Sequence, residues 1–321
     1  MKHNYSEKLN AFIAEKKEAT KMINCVGNLL YKKGIELVLF RRHLLDKNVS
    51  EILRLHQYAT NFVKKPINIL DSANLAELLT DMDLAPAKID IGKLTYEYVL
   101  EKEQYTNKSD FLNDKIGFMK KSEDKKQNAK DVVLYGFGRI GRLCARELIK
   151  QAGKGQQLRL RAIVTRSNSD DTIIKRAALL KNDSVHGAFK GSVIEDLENK
   201  TLLINGQIVQ MISANKPEDV NYTEYGINNA LVIDNTGVYT TKEELGRHLK
   251  SKGVSKVLLT APGKEIPNIV YGINHFDLDV ENLNIYSAAS CTTNAISPIL
   301  KTVNDSFNVV KGHIETVHAF S

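Results

Sequence analysis

Six residues, Gly136-Phe137-Gly138-Arg139-Ile140-Gly141, constrain this chain more than any others. They follow an apolar, β-branched run, Val132-Val133-Leu134, and lead into a stretch predicted to be helical over 142–150. Three glycines at this spacing between strand and helix have separable tasks. The first permits a tight turn, the second lets backbone approach a pyrophosphate, and the third lets helix and strand pack closely. Phosphates placed there face a helix N-terminus, where unpaired N–H groups and aligned peptide dipoles favour negative charge. The pattern predicts a dinucleotide-binding βα unit; a glycine-rich turn without a ligand is the plainer alternative.

The residues that follow keep the same texture. Apolar runs at 160–164, 230–233 and 257–259 alternate with helical stretches, which predicts βα units around a mostly parallel sheet. Residues 201–210 read as a hairpin turning at Asn205-Gly206. In such folds an acid at the tip of the second strand takes the adenosine ribose hydroxyls. Here the tip is Thr165-Arg166-Ser167-Asn168, with no acid. Arg166, helped by Ser167 and Asn168, would suit a 2′-phosphate, so the cofactor expected is NAD or NADP with NADP favoured. Asp170 or Asp171 would restore NAD preference if the loop folded back, and Arg166 would then be a solvated loop cation.

Before residue 121 the pattern is different. Leu9, Phe12 and Ile13, then Met22, Ile23, Val26, Leu29 and Leu30, follow helical spacing up to Gly34. A second helical stripe is read through Leu37, Val38, Leu44 and Leu45. A third passes through Ile52, Leu53, Leu55, Tyr58, Phe62 and Val63 until Pro66 stops it. Asp71-Ser72 is the expected cap of a short helix carrying Leu75, Leu78 and Leu79. A further polar–apolar stretch covers about 92–120, and the wholly polar residues 121–130 read as a linker. The fold class expected is α/β: a Rossmann-type dinucleotide-binding domain over 128–290, preceded by an all-α extension over 1–127. The beginning of an α+β catalytic domain follows over 291–321, with the chain expected to stop partway through it.

Composition bears on partners and compartment. The 321 residues carry a net charge of +7, with 23 basic against 18 acidic side chains in the first 130. The excess is spread in pairs among acids without interleaved aromatics, which reads as solvated helix faces and makes a nucleic-acid surface the weaker reading. No apolar run approaches the ~20 residues that span a bilayer, and the first residues lack a secretory signal. A cytoplasmic location without membrane partners is expected. Three distant cysteines, Cys25, Cys144 and Cys291, form no CxxC metal or redox pair and suit a reducing compartment. Cys25 and Cys144 read as small buried hydrophobes.

Cys291 stands apart because of its neighbours, Ala288-Ala289-Ser290-Cys291-Thr292-Thr293-Asn294. A short extended run, 284–286, precedes it and a helix-like stretch from Ala295 to Val303 follows. A thiol at a helix N-terminus is placed where its anion, the nucleophilic form, is favoured. Ser290 and Thr292 offer hydroxyls to an anion, and backbone N–H groups offer an oxyanion hole. His318 lies in a strand-like stretch, 314–319, and a return strand would bring it beside Cys291 as an acid–base partner. Alternation puts 314, 316 and 318 on one face and the competitor His313 on the other. A buried structural cysteine and a satisfied strand histidine are the plainer alternatives.

These residues together carry a resemblance. Residues 136–142, GFGRIGR, are similar to the nucleotide-binding start of glyceraldehyde-3-phosphate dehydrogenases. Asp183-Ser184-Val185-His186-Gly187, Asn235-Thr236-Gly237-Val238-Tyr239-Thr240 and Thr260-Ala261-Pro262-Gly263-Lys264 resemble successive landmarks of that family. Residues 289–294 resemble its active-site signature, and 316–319 its histidine segment, in family order and spacing. The resemblance covers 131–321. It implies that Cys291 attacks an aldehyde phosphate with His318 as base, that hydride passes to NAD(P), and that inorganic phosphate releases an acyl phosphate. It further implies that Gly136, Gly138, Arg139, Ile140 and Gly141 carry the cofactor pyrophosphate, that Thr236 and Gly237 approach the nicotinamide side, and that Thr260 stands where the family often has Ser. Ser290 and Thr292 would bind phosphate groups, Asp183 and His186 would be structural, and the intact protein would be a homotetramer in carbohydrate metabolism.

Three departures accompany the resemblance. Tyr135 replaces the usual Asn before the first glycine, an alteration of packing. Arg166 falls where NAD-using members carry Asp. The sequence ends at Ser321, short of the family's remaining catalytic sheet, its further phosphate-binding residues and much of its tetramer interface. Residues 1–130 lie outside the basic family pattern, as in longer members with N-terminal extensions. Two alternatives share the motifs: an erythrose-4-phosphate dehydrogenase, and a nucleotide-binding interaction protein without turnover.

Overall fold

A computed structural model describes residues 5–119, 129–150, 158–276, 278–279 and 281–318. They fall into two compact units, one running to Ala129 and one beginning at Lys130. Of the polar stretch expected as a linker over 121–130, residues 121–128 lie outside the described residues, and Lys130 already belongs to a strand.

The first unit is mainly helical. Its elements are α1 (Tyr5–Asn28), β1 (Ile35–Leu39), β2 (Arg42–His43), α2 (Val49–Tyr58), α3 (Ile69–Asp81), β3 (Ala87–Asp90), α4 (Ile91–Glu101) and α5 (Lys108–Ile116). The C-terminal half of α1 buries Ala19, Met22, Cys25 and Val26 against a core that includes Leu75, Leu79 and Phe111. Leu9, Phe12 and Ile13 continue the apolar stripe yet stay over 40% exposed. A helix of this length, ~36 Å at 1.5 Å per residue, outreaches the core its first half would cover.

Two expectations are corrected here. The extension is not all-α: β1 pairs antiparallel with β2 and parallel with β3, so Leu37 and Val38 lie in a strand. Gly34, at φ 71°, ends the preceding helical turn by donating to the Leu29 and Leu30 carbonyls, which frees 35–39 to extend. An apolar run this short fits either period, and burial on both faces removes the alternation that would mark a strand. The cap of α3 is Asn68, whose side chain accepts from the Asp71 N–H at 2.7 Å; Asp71 is inside the helix and pairs with Lys108 at 2.7 Å.

The second unit is a doubly wound sheet. Its elements are β4 (Lys130–Tyr135), α6 (Arg139–Lys150), β5 (Leu158–Thr165), α7 (Asp170–Lys181), β6 (Asn182–Asp183), β7 (Gly187–Ala188), β8 (Val193–Asp196), β9 (Thr201–Ile204), β10 (Gln207–Ser213), β11 (Ala230–Asp234), α8 (Lys242–Gly246), β12 (Val254–Leu259), β13 (Ile285–Ser287) and α9 (Cys291–Phe307). The large sheet has the order β13-β12-β11-β4-β5-β10-β9-β8. The six strands from β13 to β10 are mutually parallel, whereas β9 and β8 add an antiparallel edge. Alternate residues of β4 serve opposite faces: Val132 and Leu134 join a core with α6 and α7, while Val133 and Tyr135 join a second core with Val164, Tyr222 and Val232. The β9–β10 hairpin turns at Asn205 (φ 46°) and Gly206 (φ 80°), the positive pair that a two-residue turn of this hand requires.

Strand order reverses between β4 and β11, the first and fourth of the parallel strands. A doubly wound sheet opens its ligand crevice at the C-terminal ends of the strands that flank such a switch point.

Candidate functional site

The chain leaves β4 at Tyr135 and turns at Gly136, with φ 89°. A Cβ on Gly136 would meet Thr236 Cγ2 at 2.9 Å, and one on Gly141 would collide with the Gly136 carbonyl oxygen. A Cβ on Gly138 would meet nothing within 4 Å. The first and third glycines are thus required by packing, and the second faces open space at the start of α6, as a cradle for a pyrophosphate requires. Helix α6 begins at Arg139, three residues earlier than expected, so Arg139 and Ile140 occupy its first turn. The Arg139 side chain turns away from that end: its Nη2 donates to Ser184 Oγ at 3.2 Å and its Nε lies 3.5 Å from Asp183. Its backbone is what it can offer a phosphate.

Asp183 ties this loop to the 183–187 turn. One carboxylate oxygen accepts from the His186 and Val185 N–H groups at 3.0 Å each, and the other lies 3.4 Å from Arg142. Those backbone donors, then the His186 ring and Arg142, hold its carboxyl well below the usual range. The structural assignment of Asp183 and His186 agrees with this geometry.

The crevice above the switch point has a volume of about 400 Å³. Its walls include Gly136, Phe137, Arg166, Arg176, Asn215 and Thr236. Thr236 is fixed from below: its N–H and its Oγ1 both donate to Asp234, at 2.8 and 2.7 Å. The other oxygen of Asp234 lies 2.9 Å from Nε2 of His248, and both side chains are buried. Tyr135 sets its ring edge-on to His248, centroids 4.7 Å apart, so the departure from Asn serves this packing. Gly237, at φ 68°, completes the turn. Thr260, the residue after β12, acts on the same turn, its Oγ1 donating to the Asp234 carbonyl at 3.0 Å.

Sequence reasoning missed Arg176 and the Asp234–His248 pair. Arg176 carried no signal of its own, because only the fold sets α7 against Phe137 and the β5 loop. Nor did the pair, because it joins side chains from β11 and the turn after α8. At the β5 tip, Arg166 lines the crevice. Asp170 instead bonds Lys200 at 2.6 Å, and neither it nor Asp171 is among the crevice residues.

Cys291 is the first residue of α9 and is exposed. The strand β13 delivers it through a turn in which Ala289 adopts φ 59°, braced by Ser287 Oγ, which accepts from the Ala289 N–H at 2.9 Å. Ser290 caps the helix, its Oγ accepting from the Thr293 N–H at 2.9 Å and bonding the Thr292 and Thr293 hydroxyls at 2.9 and 2.6 Å. Asn294 closes the turn by donating to the Ala288 and Ser290 carbonyls. The helix expected from Ala295 therefore begins at the thiol itself. Cys25 and Cys144 differ in kind: burial pushes both thiols up.

His318 is not brought to this site. Residues 308–318 are exposed and without regular structure, and no hydrogen bond joins His318 to Cys291 among the described residues. The expected strand over 314–319 fails for want of a ladder: no described strand lies beside it to take its N–H and C=O groups. Residue 319 lies outside the described residues. Helix α9 likewise buries none of its side chains.

Comparisons with known proteins agree with this geometry. Residues 130–242 match the family model for the NAD binding domain of glyceraldehyde 3-phosphate dehydrogenase. Residues 290–321 match the model for that enzyme's C-terminal domain. A glyceraldehyde-3-phosphate dehydrogenase-like protein of Pseudomonas aeruginosa is 42% identical over 305 residues, covering 94% of this chain and 66% of the relative. The chain belongs to the glyceraldehyde-3-phosphate dehydrogenase family.

Other members of the family match over a shorter span. The cytosolic glyceraldehyde-3-phosphate dehydrogenase of Sinapis alba is 37% identical over 186 residues, 58% of this chain and 52% of that protein. Glyceraldehyde-3-phosphate dehydrogenase 2 of Trichormus variabilis is 38% identical over 191 residues, 59% of this chain and 54% of that protein. The chain spans about half to two thirds of the length of these curated relatives. Coverage of 94% by the Pseudomonas protein extends the likeness into the first unit, so that unit has a counterpart within the family. No helix among the described residues is long and apolar enough to cross a membrane.

Proposed function

We propose that this chain is the nucleotide-binding part of a cytoplasmic, phosphorylating aldehyde-phosphate dehydrogenase of carbohydrate metabolism, with Cys291 as nucleophile and NADP as the favoured cofactor. The observation that carries the reading is the exposed Cys291 at the start of α9, set on the same parallel sheet whose switch point forms the nucleotide crevice. Gly136, Gly138 and Gly141 with the first turn of α6 would hold the pyrophosphate, and Thr236 and Gly237 the nicotinamide side. A bound nicotinamide supplies a hydride acceptor.

The chain's own residues do the rest. The Cys291 thiolate adds to the aldehyde carbon, protonated His318 gives a proton to the oxygen that gains charge, and a thiohemiacetal results, with the Cys291 and Thr292 N–H groups available to that oxygen. His318 takes the hydroxyl proton as hydride leaves, giving a thioester at Cys291. Inorganic phosphate attacks the thioester carbon, the thiolate departs and an acyl phosphate forms. Ser290 and Thr292 bind phosphate groups through their hydroxyls, which requires Ser290 to share its capping role. A homotetramer is the assembly proposed for the full-length protein.

The exposed position of His318 favours a second reading, a nucleotide-binding protein without turnover. One assay separates them. Full-length protein, the 321-residue chain and a Cys291→Ala variant are given glyceraldehyde 3-phosphate or erythrose 4-phosphate, with phosphate and either NAD or NADP. Turnover by the full-length protein that falls at least 10³-fold without Cys291, the order expected when a covalent nucleophile is lost, supports the dehydrogenase. The preferred aldehyde separates the two substrates. Coenzyme binding without turnover of either aldehyde supports the second reading.

A further inference from the structure

The sequence spreads the cations of the first unit in pairs, and the fold interleaves two of these pairs with aromatic rings. Arg42, in β2, sets its guanidinium 4.3 Å from the centroid of the Tyr58 ring at the end of α2. Tyr58 is stacked in turn on Phe62, centroids 5.5 Å apart and planes 23° from parallel. Lys65 lies over the rings of Phe40 and Tyr96, at 6.0 and 5.2 Å. Arg54 stands one helical turn before Tyr58 on the same face of α2. Arg41 and Lys64 adjoin Arg42 and Lys65 in the chain. Phe62 is 75% exposed, so the stack ends in a ring open to solvent.

These cations have no acid to answer them. Among the described residues, no carboxylate lies within ion-pair distance of Arg41, Arg42, Arg54, Lys64 or Lys65, whereas Lys47, Lys88, Lys93, Lys108 and Lys115 each have one. Asp90, which holds the β1–β2 turn, is occupied by the Phe40, Arg41 and Lys93 N–H groups, and Glu51 of α2 by Lys47 and the Asn48 N–H. The backbone beneath the patch is fixed as well: Lys64, at φ 61°, closes the helical turn over 59–63, its N–H donating to the Ala59 carbonyl.

Unpaired cations held on one face repel one another, and phosphates that meet them release their own counterions. An exposed ring at the end of an aromatic stack offers its face to a base of any identity. An acidic peptide or an anionic lipid surface would use the charges and leave that ring without a flat partner. A duplex keeps its bases stacked inside and has none to offer. We propose that this face of the first unit binds single-stranded nucleic acid, with Arg41, Arg42, Arg54, Lys64 and Lys65 on the phosphates and Phe62 against a base. The site shares no residue with the nucleotide crevice or the Cys291 turn.

The test is fluorescence anisotropy of labelled oligouridylate and oligothymidylate of about 15 nucleotides, within the span of known single-strand sites. The 321-residue chain is titrated beside Phe62→Ala, Phe62→Tyr and Lys64→Gln. Unlabelled duplex, polyglutamate and phosphatidylglycerol vesicles, matched in charge concentration, serve as competitors. Both single strands are expected to bind, and each competitor to displace them at least tenfold less well than unlabelled single strand. With all five cations on phosphates, affinity should fall on the order of 100-fold from about 50 to about 200 mM salt. Phe62→Ala should weaken binding about tenfold and leave that salt dependence unchanged, and Phe62→Tyr should keep the affinity. Lys64→Gln should instead flatten the salt dependence by about one phosphate's share. Both side chains are exposed, so thermal melts of the variants should match the unsubstituted chain. Saturating NADPH should leave the titration unchanged. The proposal is overturned if neither single strand binds at the lower salt, or if Phe62→Ala leaves the affinity as it was. It is equally overturned if polyglutamate or vesicles compete as well as single strand, or if NADPH displaces the oligonucleotide, which would put it in the crevice.

Discussion

At the scale of single residues, the nucleotide crevice depends on side chains that never reach the ligand. Asp234 accepts two hydrogen bonds from Thr236 and is held by buried His248, so the turn at the end of β11 is tied to the core. Asp183 does the same for the first turns of α6, joining Arg142 to the 183–187 turn. Its carboxyl is held low, chiefly by the His186 and Val185 N–H groups, so ionised Asp183 stabilises the folded chain. That contribution is complete above the unfolded aspartate value of ~3.9 and is lost as pH falls through the lower folded value. Asp183→Asn is therefore expected to lower the melting temperature at pH 7. The gap to the unsubstituted protein should persist down to about pH 4 and narrow below it. Thermal melts of both proteins from pH 7 to pH 3 check this; a gap independent of pH across that range would count against the charge and for simple loss of packing.

At the scale of elements, the first unit hangs on Asp90. Its carboxylate caps α4 through the Lys93 N–H at 3.1 Å and also accepts from the Phe40 and Arg41 N–H groups of the β1–β2 turn, at 2.8 and 3.0 Å. Those two turn residues have φ 45° and 68°, left-handed conformations that nothing in their side chains favours. Asp90→Ala removes a cap and leaves two turn N–H groups without an acceptor, an expected loss of about 2 kcal/mol. Denaturant unfolding followed by tyrosine fluorescence measures it; a loss below about 0.5 kcal/mol, the low end for a cap alone, would show that the hairpin needs no tether.

The same element shows what the sequence could and could not disclose. The parallel strands β4, β5, β11 and β12 were legible because each is a continuous apolar run between a helix and a turn signal. The small sheet of the first unit was not: β2 has two residues, and β3 reads Ala-Lys-Ile-Asp, with no strand character of its own. Its pairing joins Ile35 to Ala87, a tertiary choice without a local signature. Gly136, Gly138 and Gly141 could be placed from spacing alone, because each performs a task that only backbone geometry sets. Arg176 could not be given a task until Phe137 and the β5 loop were seen on the same crevice.

At the scale of the molecule, two units of different construction share one chain. The second unit has the sheet order and glycine loop of a dinucleotide-binding domain and carries, after β13, a helix opened by a cysteine. The first has its own core of residues drawn from α1 to α5. The Pseudomonas relative matches along nearly the whole chain, whereas the plant and cyanobacterial relatives match over lengths close to the second unit alone. The likeness to the Pseudomonas relative therefore takes in the first unit as well as the second.

The central claim, that Cys291 forms a covalent acyl intermediate, has a direct measurement. Full-length protein is mixed with glyceraldehyde 3-phosphate and NADP in phosphate-free buffer, quenched in acid and mapped by peptide mass spectrometry. The account predicts an acyl adduct on the peptide containing Cys291, absent when the coenzyme is omitted and discharged when phosphate is added before the quench. An unmodified Cys291 peptide in protein that turns the substrate over, or an adduct on Cys25 or Cys144 instead, would contradict it.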